Sequence, residues 1–112
     1  MRESRFAIGE ITTPNWDLGQ CIEAWCRYEV PAMGLSAATL EVYGRKRGIQ
    51  ELKDSGLAVT NYQGIGCYGF EQPRISEVID SLVDQMDAAA ELDVDCVFVM
   101  SGPRKHMSWQ DS

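Results

Sequence analysis

The chain has 112 residues and a formal net charge of −7, with 45% hydrophobic and 24% charged residues. This length allows one small domain with a core, and the composition is that of an ordinary globular protein. The negative charge argues against nucleic-acid binding, and the lack of a long apolar run argues against a membrane protein. The first residues lead into a strand-like segment without a signal peptide's apolar region, which predicts a cytoplasmic protein.

The first part of the chain predicts a strand, a helix and a second strand. Residues 6–12 alternate well enough for a strand. Asp17 with Gln20 three residues later forms a capping-box pattern that begins a helix. Pro31 disfavours helix at the preceding residue, so this helix ends by about residue 30. A short apolar segment, residues 32–35, then predicts the second strand.

The remaining elements continue the same alternation. Residues 44–55 predict a helix that ends at Gly56, and residues 57–62 predict a third strand. Apolar residues from Ile75 onwards recur at helical spacing and predict an amphipathic helix. The unbroken apolar run 96–100 then predicts a strand buried on both faces, as in parallel sheets covered by helices.

The predicted order is therefore β-α-β-α-β-α-β, which defines an α/β fold. Right-handed crossovers of this kind build either a (β/α) barrel or an open doubly wound sheet. The strand order distinguishes the two, because a barrel segment is sequential whereas a doubly wound sheet reverses at a switch point.

The cysteines do not suggest a metal or disulfide framework. None of the four forms a C-x-x-C pair, and no Cys/His cluster surrounds the single histidine. We therefore expect them to be small hydrophobic residues of a reducing compartment.

Four segments resemble, in order, a known superfamily. The similarity is to the xylose isomerase-like TIM-barrel superfamily, the sugar phosphate isomerases/epimerases. Residues 11–18 resemble its opening and residues 33–36 its second strand. Residues 48–61 resemble the helix that leads into its third strand, and residues 88–99 the helix end that leads into its fourth. The resemblance implies that residues 1–112 form one domain, the amino-terminal half of a (β/α)₈ barrel. About four parallel strands would then run in sequential order, with helices on the outer face. A closed barrel of this kind typically has about 250 residues.

The same resemblance implies a function. Members of this superfamily carry out metal-dependent aldose–ketose isomerisation or epimerisation, in which a proton moves between adjacent carbons of a small sugar or polyol. The resemblance implies a divalent metal (Mn, Mg, Co or Zn) for the full-length family, with its ligands on later strands, so this chain would hold no metal and be inactive alone. One alternative is a non-catalytic half-barrel that pairs with itself, as a homo-oligomer, or with a complementary subunit. Another is a small doubly wound ligand-binding domain.

Active sites of α/β barrels lie at the carboxyl ends of the strands. Polar residues at those positions would hydrogen-bond sugar hydroxyls, and an aromatic residue would form an apolar wall. The alternative is that these are strand-end and turn residues without a ligand. For His106, the only histidine, a solvated loop position beside Arg104 and Lys105 is the simpler interpretation. The predicted substrate-binding residues are Glu10, Asn61, Gln63 and His106, with Trp16 or Tyr62 as the wall.

Overall fold

The computed structural model describes residues 6–67, 75–100, 108 and 110. The strands are β1 (Ile8–Gly9), β2 (Ala32–Ser36), β3 (Ala58–Cys67) and β4 (Cys96–Met100). The helices are α1 (Leu18–Arg27), α2 (Ala37–Tyr43), α3 (Arg45–Ser55) and α4 (Ile75–Glu91), and a 3₁₀ turn (Glu10–Thr12) follows β1. In these ranges no helix combines the length and apolar character needed to span a bilayer.

The four strands form one parallel sheet in the order β1-β2-β3-β4. This confirms the predicted α/β class and the sequential strand order. The described sheet does not reverse at a switch point, as a doubly wound sheet would. The chain therefore forms a partial β/α fold with helices packed on the sheet.

One face of the sheet is buried under the helices. Met33 and Leu35 of β2 lie beside Val59 and Tyr62 of β3, and all four are at most 2% exposed. They pack against Leu18 and other apolar side chains of the helices. Because side chains alternate along a strand, the residues between them face the opposite side. The helix-facing partners include Cys21, Ile22, Trp25, Leu40, Ile49 and Leu52.

The predicted helix ends are confirmed. The Asp17 side chain accepts a hydrogen bond from the Gln20 backbone N–H at 2.8 Å, and Gln20 Oε1 accepts one from the Asp17 N–H at 2.9 Å. This reciprocal capping box starts α1. Gly56 follows α3 with φ of 74°, a left-handed conformation that favours glycine.

The first strand and the following region differ from the prediction. β1 has two residues, because the chain turns into the 3₁₀ segment, where Thr12 Oγ1 donates to the Gly9 carbonyl at 2.8 Å. Threonine hydroxyls compete with ladder pairing in this way. The sequence also did not predict α2, although Ser36 is a favourable N-cap and its Oγ accepts the Thr39 N–H at 3.2 Å.

The prediction that β4 is buried on both faces is wrong for the described structure. Phe98, Val99 and Met100 remain 42%, 45% and 47% exposed. The reason is that β4 is an edge strand on which little is packed: among the described elements only β3 makes extensive contact with it, so its faces lack the helix cover that buries β2 and β3. The expectation of buried cysteines is confirmed for Cys21, whereas Cys26 and Cys96 are exposed.

Tyr62 provides a test of this core. Its side chain is fully buried, and no described residue hydrogen-bonds its hydroxyl. We expect Tyr62→Phe to leave the free energy of unfolding unchanged or to raise it by about 1 kcal/mol, because a buried unpaired hydroxyl is removed. Chemical denaturation measures this change. A loss above about 1 kcal/mol would contradict the placement, and Tyr28→Phe, at a 74% exposed position, is the control.

The same variant changes the pH dependence of stability. Burial raises the pKa of Tyr62 to about 12 in the folded protein. Because an unfolded tyrosine titrates near pH 10, the unfolded chain releases this proton before the folded protein does. The free energy of unfolding is therefore unaffected by this group below about pH 10 and falls as the pH rises toward 12. We expect the stability of Tyr62→Phe to fall less steeply than that of the unmodified chain over this range.

Candidate functional site

A shallow pocket lies on the sheet face opposite the helices, at the carboxyl ends of the strands. Its volume is about 80 Å³. Pockets that enclose a whole small molecule are typically about 300–1,000 Å³, so this pocket corresponds to one part of such a site. The residues that line it are Gly9, Glu10, Ile11, Gly34, Leu35, Ser36, Asn61, Gln63 and Phe98.

Glu10 joins the end of β1 to the start of α2. Its Oε1 accepts hydrogen bonds from the Ser36 backbone N–H at 2.8 Å and from Thr39 Oγ1 at 3.1 Å. Ser36 N–H lies at the amino end of α2, where backbone donors lack intrahelical partners. The Glu10 carboxylate therefore supplements the cap that Ser36 provides and fixes the 3₁₀ turn against β2.

Asn61 faces the pocket because of an irregularity in β3. Met33 pairs with Val59, but the next residue, Gly34, pairs with Asn61, so Thr60 is an extra residue in β3. Such a bulge shifts the alternation by one residue. Without it Asn61 would point under the helices. With it Asn61 lies opposite Gly34 on the pocket side.

The Asn61 side chain also depends on the lack of a side chain at position 34. A Cβ added to Gly34 would overlap Asn61 Oδ1. Gly34 is buried and is not among the glycines with positive φ, so its role is to allow this close approach rather than an unusual backbone angle. The amide of Asn61 consequently lies on the floor of the pocket.

Gln63 and two apolar residues complete the pocket. Gln63 pairs with Ser36 on one side and with Phe98 on the other. Phe98 is 42% exposed and Ile11 is 75% exposed, and both line the pocket. The polar floor thus has exposed apolar groups at its sides.

The structure brings together three of the predicted binding residues, Glu10, Asn61 and Gln63. Trp16 instead packs on Trp25, with ring centroids 6.0 Å apart, and does not line the pocket. Tyr62 is buried under the helices, so Ile11 and Phe98 take the position of the expected aromatic wall. His106 lies outside the described residues.

The sequence patterns did not predict four residues that line the pocket: Gly9, Ile11, Gly34 and Phe98. A glycine within an apolar strand is a signal of close approach by another group, and it was available in the sequence. The apolar run around Phe98 indicated a buried strand, so an exposed pocket position had no sequence signal. Ser36 follows the predicted second strand, and its role as the N-cap of α2 was not predicted.

The described residues do not supply a metal site. No group of three or more His, Cys, Asp or Glu side chains comes together among them. Glu10 is the single carboxylate among the residues that line the pocket. The divalent metal implied for the full-length family therefore has no ligand set among the described residues.

Comparison with known proteins supports the fold. No protein-family model and no curated protein matches the sequence. A crystal structure of protein SMc04130 from Sinorhizobium meliloti 1021 is similar, with a TM-score of 0.69 and 20% sequence identity over 93% of this chain. The chain spans 40% of the length of that protein. At this identity the similarity shows the fold alone.

Gly34→Ala tests the arrangement of the pocket floor. We expect it to displace the Asn61 side chain and to lower the free energy of unfolding by about 1–3 kcal/mol, because the added methyl group overpacks the site. The Asn61 side-chain amide resonances in NMR spectra and chemical denaturation measure the two effects.

Gly9→Ala is the matched control, since Gly9 pairs with Gly34 and an added Cβ would meet Ile11 Cγ2 at 3.7 Å, an ordinary contact. Equal effects of the two substitutions, or an unmoved Asn61 amide in Gly34→Ala, would show that Asn61 does not lie over Gly34.

Proposed function

We propose that this chain forms the substrate-binding side of a sugar isomerase or epimerase of the xylose isomerase-like type. The observation that carries the proposal is the convergence of Glu10, Ser36, Asn61 and Gln63 at the carboxyl ends of adjacent parallel strands. Ligands of β/α folds bind at this end of the sheet.

The chemistry of the pocket supports a polyhydroxylated ligand. A hydroxyl group both donates and accepts hydrogen bonds, and so do the amides of Asn61 and Gln63. Exposed Ile11 and Phe98 would contact the C–H faces of a sugar ring or polyol chain. A pocket with a small polar floor and apolar sides matches a carbohydrate better than it matches a purely apolar ligand.

Within this proposal the described residues bind and orient the substrate. Isomerisation or epimerisation moves a proton between adjacent carbons and needs a base, which a divalent cation assists by polarising the sugar oxygens. Glu10 already accepts two hydrogen bonds through Oε1 to hold α2, so we assign it a positioning role. The base and the cation would come from outside the described residues.

Binding of small sugars tests the proposal. In titrations of the ¹⁵N-labelled chain with D-xylose, D-ribose and xylitol, we expect saturable shifts of the Asn61 and Gln63 side-chain amides with at least one of the three. Asn61→Ala should weaken this binding about threefold to tenfold, because one hydrogen bond of about 0.5–1.5 kcal/mol is lost.

Asn15→Ala, in the exposed turn before α1, is the control and should leave the affinity unchanged. Lack of saturable binding by all three compounds would contradict the proposal. So would binding that Asn61→Ala does not weaken.

A second candidate function is a non-catalytic half-barrel that pairs with another copy of the chain. The observation in its favour is that apolar side chains of the last two described elements are exposed: Val99 of β4 and Ile79, Val83 and Met86 of α4 are 45–54% exposed. In the described sheet β1 and β4 are both edge strands, so two copies joined at these edges would give eight strands, the number in a closed barrel.

Analytical ultracentrifugation tests this second function. If pairing occurs, a dimer forms at micromolar concentration, and Val83→Asp shifts it toward monomer because a charge enters the interface. Val42→Asp is the control, since Val42 is 90% exposed on α2. A clean monomer of the unmodified chain at this concentration would exclude self-pairing.

A further inference from the structure

The helix α4 has one buried face and one exposed apolar face. Gln85 and Ala88 on the buried face are at most 3% exposed. On the other face, Ile79, Val83 and Met86 are 51–54% exposed and follow one another at spacings of four and three residues. Residues three and four apart are neighbours on a helix surface, so these three side chains form one contiguous surface, the α4 stripe. Contiguous apolar surface of this kind marks interaction sites, whereas single exposed apolar residues do not.

An acidic row borders the α4 stripe. It consists of Asp80, Asp84 and Asp87, which are exposed and also follow one another at spacings of four and three residues. Asp80 and Asp87 lie three residues before and four residues after Val83, so both are neighbours of its side chain on the helix surface. The α4 stripe therefore has negative charge along one edge.

The contact between α3 and α4 shows what kind of helix the acidic row binds. Arg45 of α3 donates to Asp84 Oδ1 at 3.0 Å and to Asp84 Oδ2 at 2.6 Å, which makes a bidentate ion pair between the two helices. The same helix α3 buries Ile49 and Leu52 in the core. Within the chain, the neighbour of the acidic row is thus an amphipathic helix that carries a cation.

A second copy of this chain suits the α4 stripe less well than a basic partner does. Each copy has a formal net charge of −7 and the same acidic row, so charge opposes the approach of two copies. A partner with basic residues beside its apolar face is attracted by the same row, and charge complementarity of this kind selects among partners.

From these contacts we infer that the α4 stripe is a docking surface for an amphipathic helix of a partner protein. The apolar face of the partner helix covers the stripe, and its lysine or arginine side chains pair with Asp80 and Asp87. This inference goes beyond the sugar site, which lies on other elements, and it names a different partner from the self-pairing candidate.

Three model peptides, each 17 residues long like α4, test the inference. The first has leucine at the apolar heptad positions and lysine and alanine elsewhere. The second has glutamate in place of each lysine, and the third has the composition of the first in scrambled order. In NMR titrations of the ¹⁵N-labelled full chain, we expect the first peptide to shift the backbone amides of Val83 and Met86 saturably. It should bind about tenfold more tightly than either of the others.

Val83→Gln tests the apolar contact, because it removes the centre of the α4 stripe and keeps a residue that forms helix well. We expect the first peptide to bind about threefold to tenfold more weakly to this variant. Val42→Gln, at a 90% exposed position of α2, is the control and should leave the affinity unchanged.

The double variant Asp80→Asn with Asp87→Asn tests the charges. We expect the preference for the first peptide over the second to fall to about threefold or less. Glu23→Gln with Asp54→Asn makes the same change of net charge at exposed positions of α1 and α3, and it should leave the preference unchanged.

The results that would overturn the inference are distinct. They are the lack of a saturable shift with the first peptide, equal affinity for the second or the scrambled peptide, and unweakened binding by Val83→Gln. An unchanged preference in the folded double variant of Asp80 and Asp87 would overturn the role of the acidic row. A dimer in analytical ultracentrifugation that Val83→Gln converts to monomer would show that a second copy covers the stripe.

The proposed sugar site is tested separately, because the sugar titrations follow Asn61 and Gln63 on β3. Failure of peptide binding leaves that proposal unchanged, and failure of sugar binding leaves the α4 stripe unchanged.

Discussion

The pairing register of β2 with β3 is the constraint on which the rest of the structure depends. Met33 and Leu35 must lie beside Val59 and Tyr62 so that one sheet face can be buried under α1–α3. The extra residue, Thr60, makes this possible and also turns Asn61 and Gln63 to the opposite face. Because strand side chains alternate, a slip of one residue would bury these polar side chains in the core and expose apolar ones. The same register therefore determines both the core and the pocket.

The pairing register of β2 with β3 determines which side chains face the pocket, and a few short contacts hold them there. Gly34 leaves room for Asn61, Ser36 begins α2, and Glu10 reaches from the end of β1 to the same helix start. The resulting site is polar, carries one negative charge among its lining residues and has Ile11 and Phe98 at its sides. Under the proposed function, these properties suit a polyhydroxylated ligand, and Glu10, whose Oε1 accepts two hydrogen bonds at the start of α2, is assigned a positioning role. The similarity to protein SMc04130, of which the chain spans 40%, supports the β/α architecture within which this pocket is placed.

Much of the fold was predictable from local sequence signals. The capping box of Asp17 and Gln20 and the left-handed turn at Gly56 set helix ends where they were expected. The alternation of elements predicted the α/β class but left the strand order open, and the sequential order was an implication of the family resemblance. What local patterns did not predict depends on contacts between distant residues. The bulge at Thr60 is a property of pairing with β2, and the exposure of Phe98 depends on which strands lie beside β4. The expectation that the site lies at the carboxyl ends of the strands correctly placed Glu10, Asn61 and Gln63 at the pocket. Trp16 instead packs on Trp25, and His106 lies outside the described residues.

The central proposal is that a sugar or polyol binds to the sheet face opposite the helices, at the carboxyl ends of β1–β3. A crystal structure of the chain grown with D-xylose tests it most directly. The account predicts the sugar within hydrogen-bond distance of Asn61 and Gln63, with Ile11 and Phe98 beside it and Thr60 as the extra residue of β3. A sugar bound at the opposite end of the strands, near Lys53 and Leu92, or an Asn61 side chain turned under the helices, would contradict it.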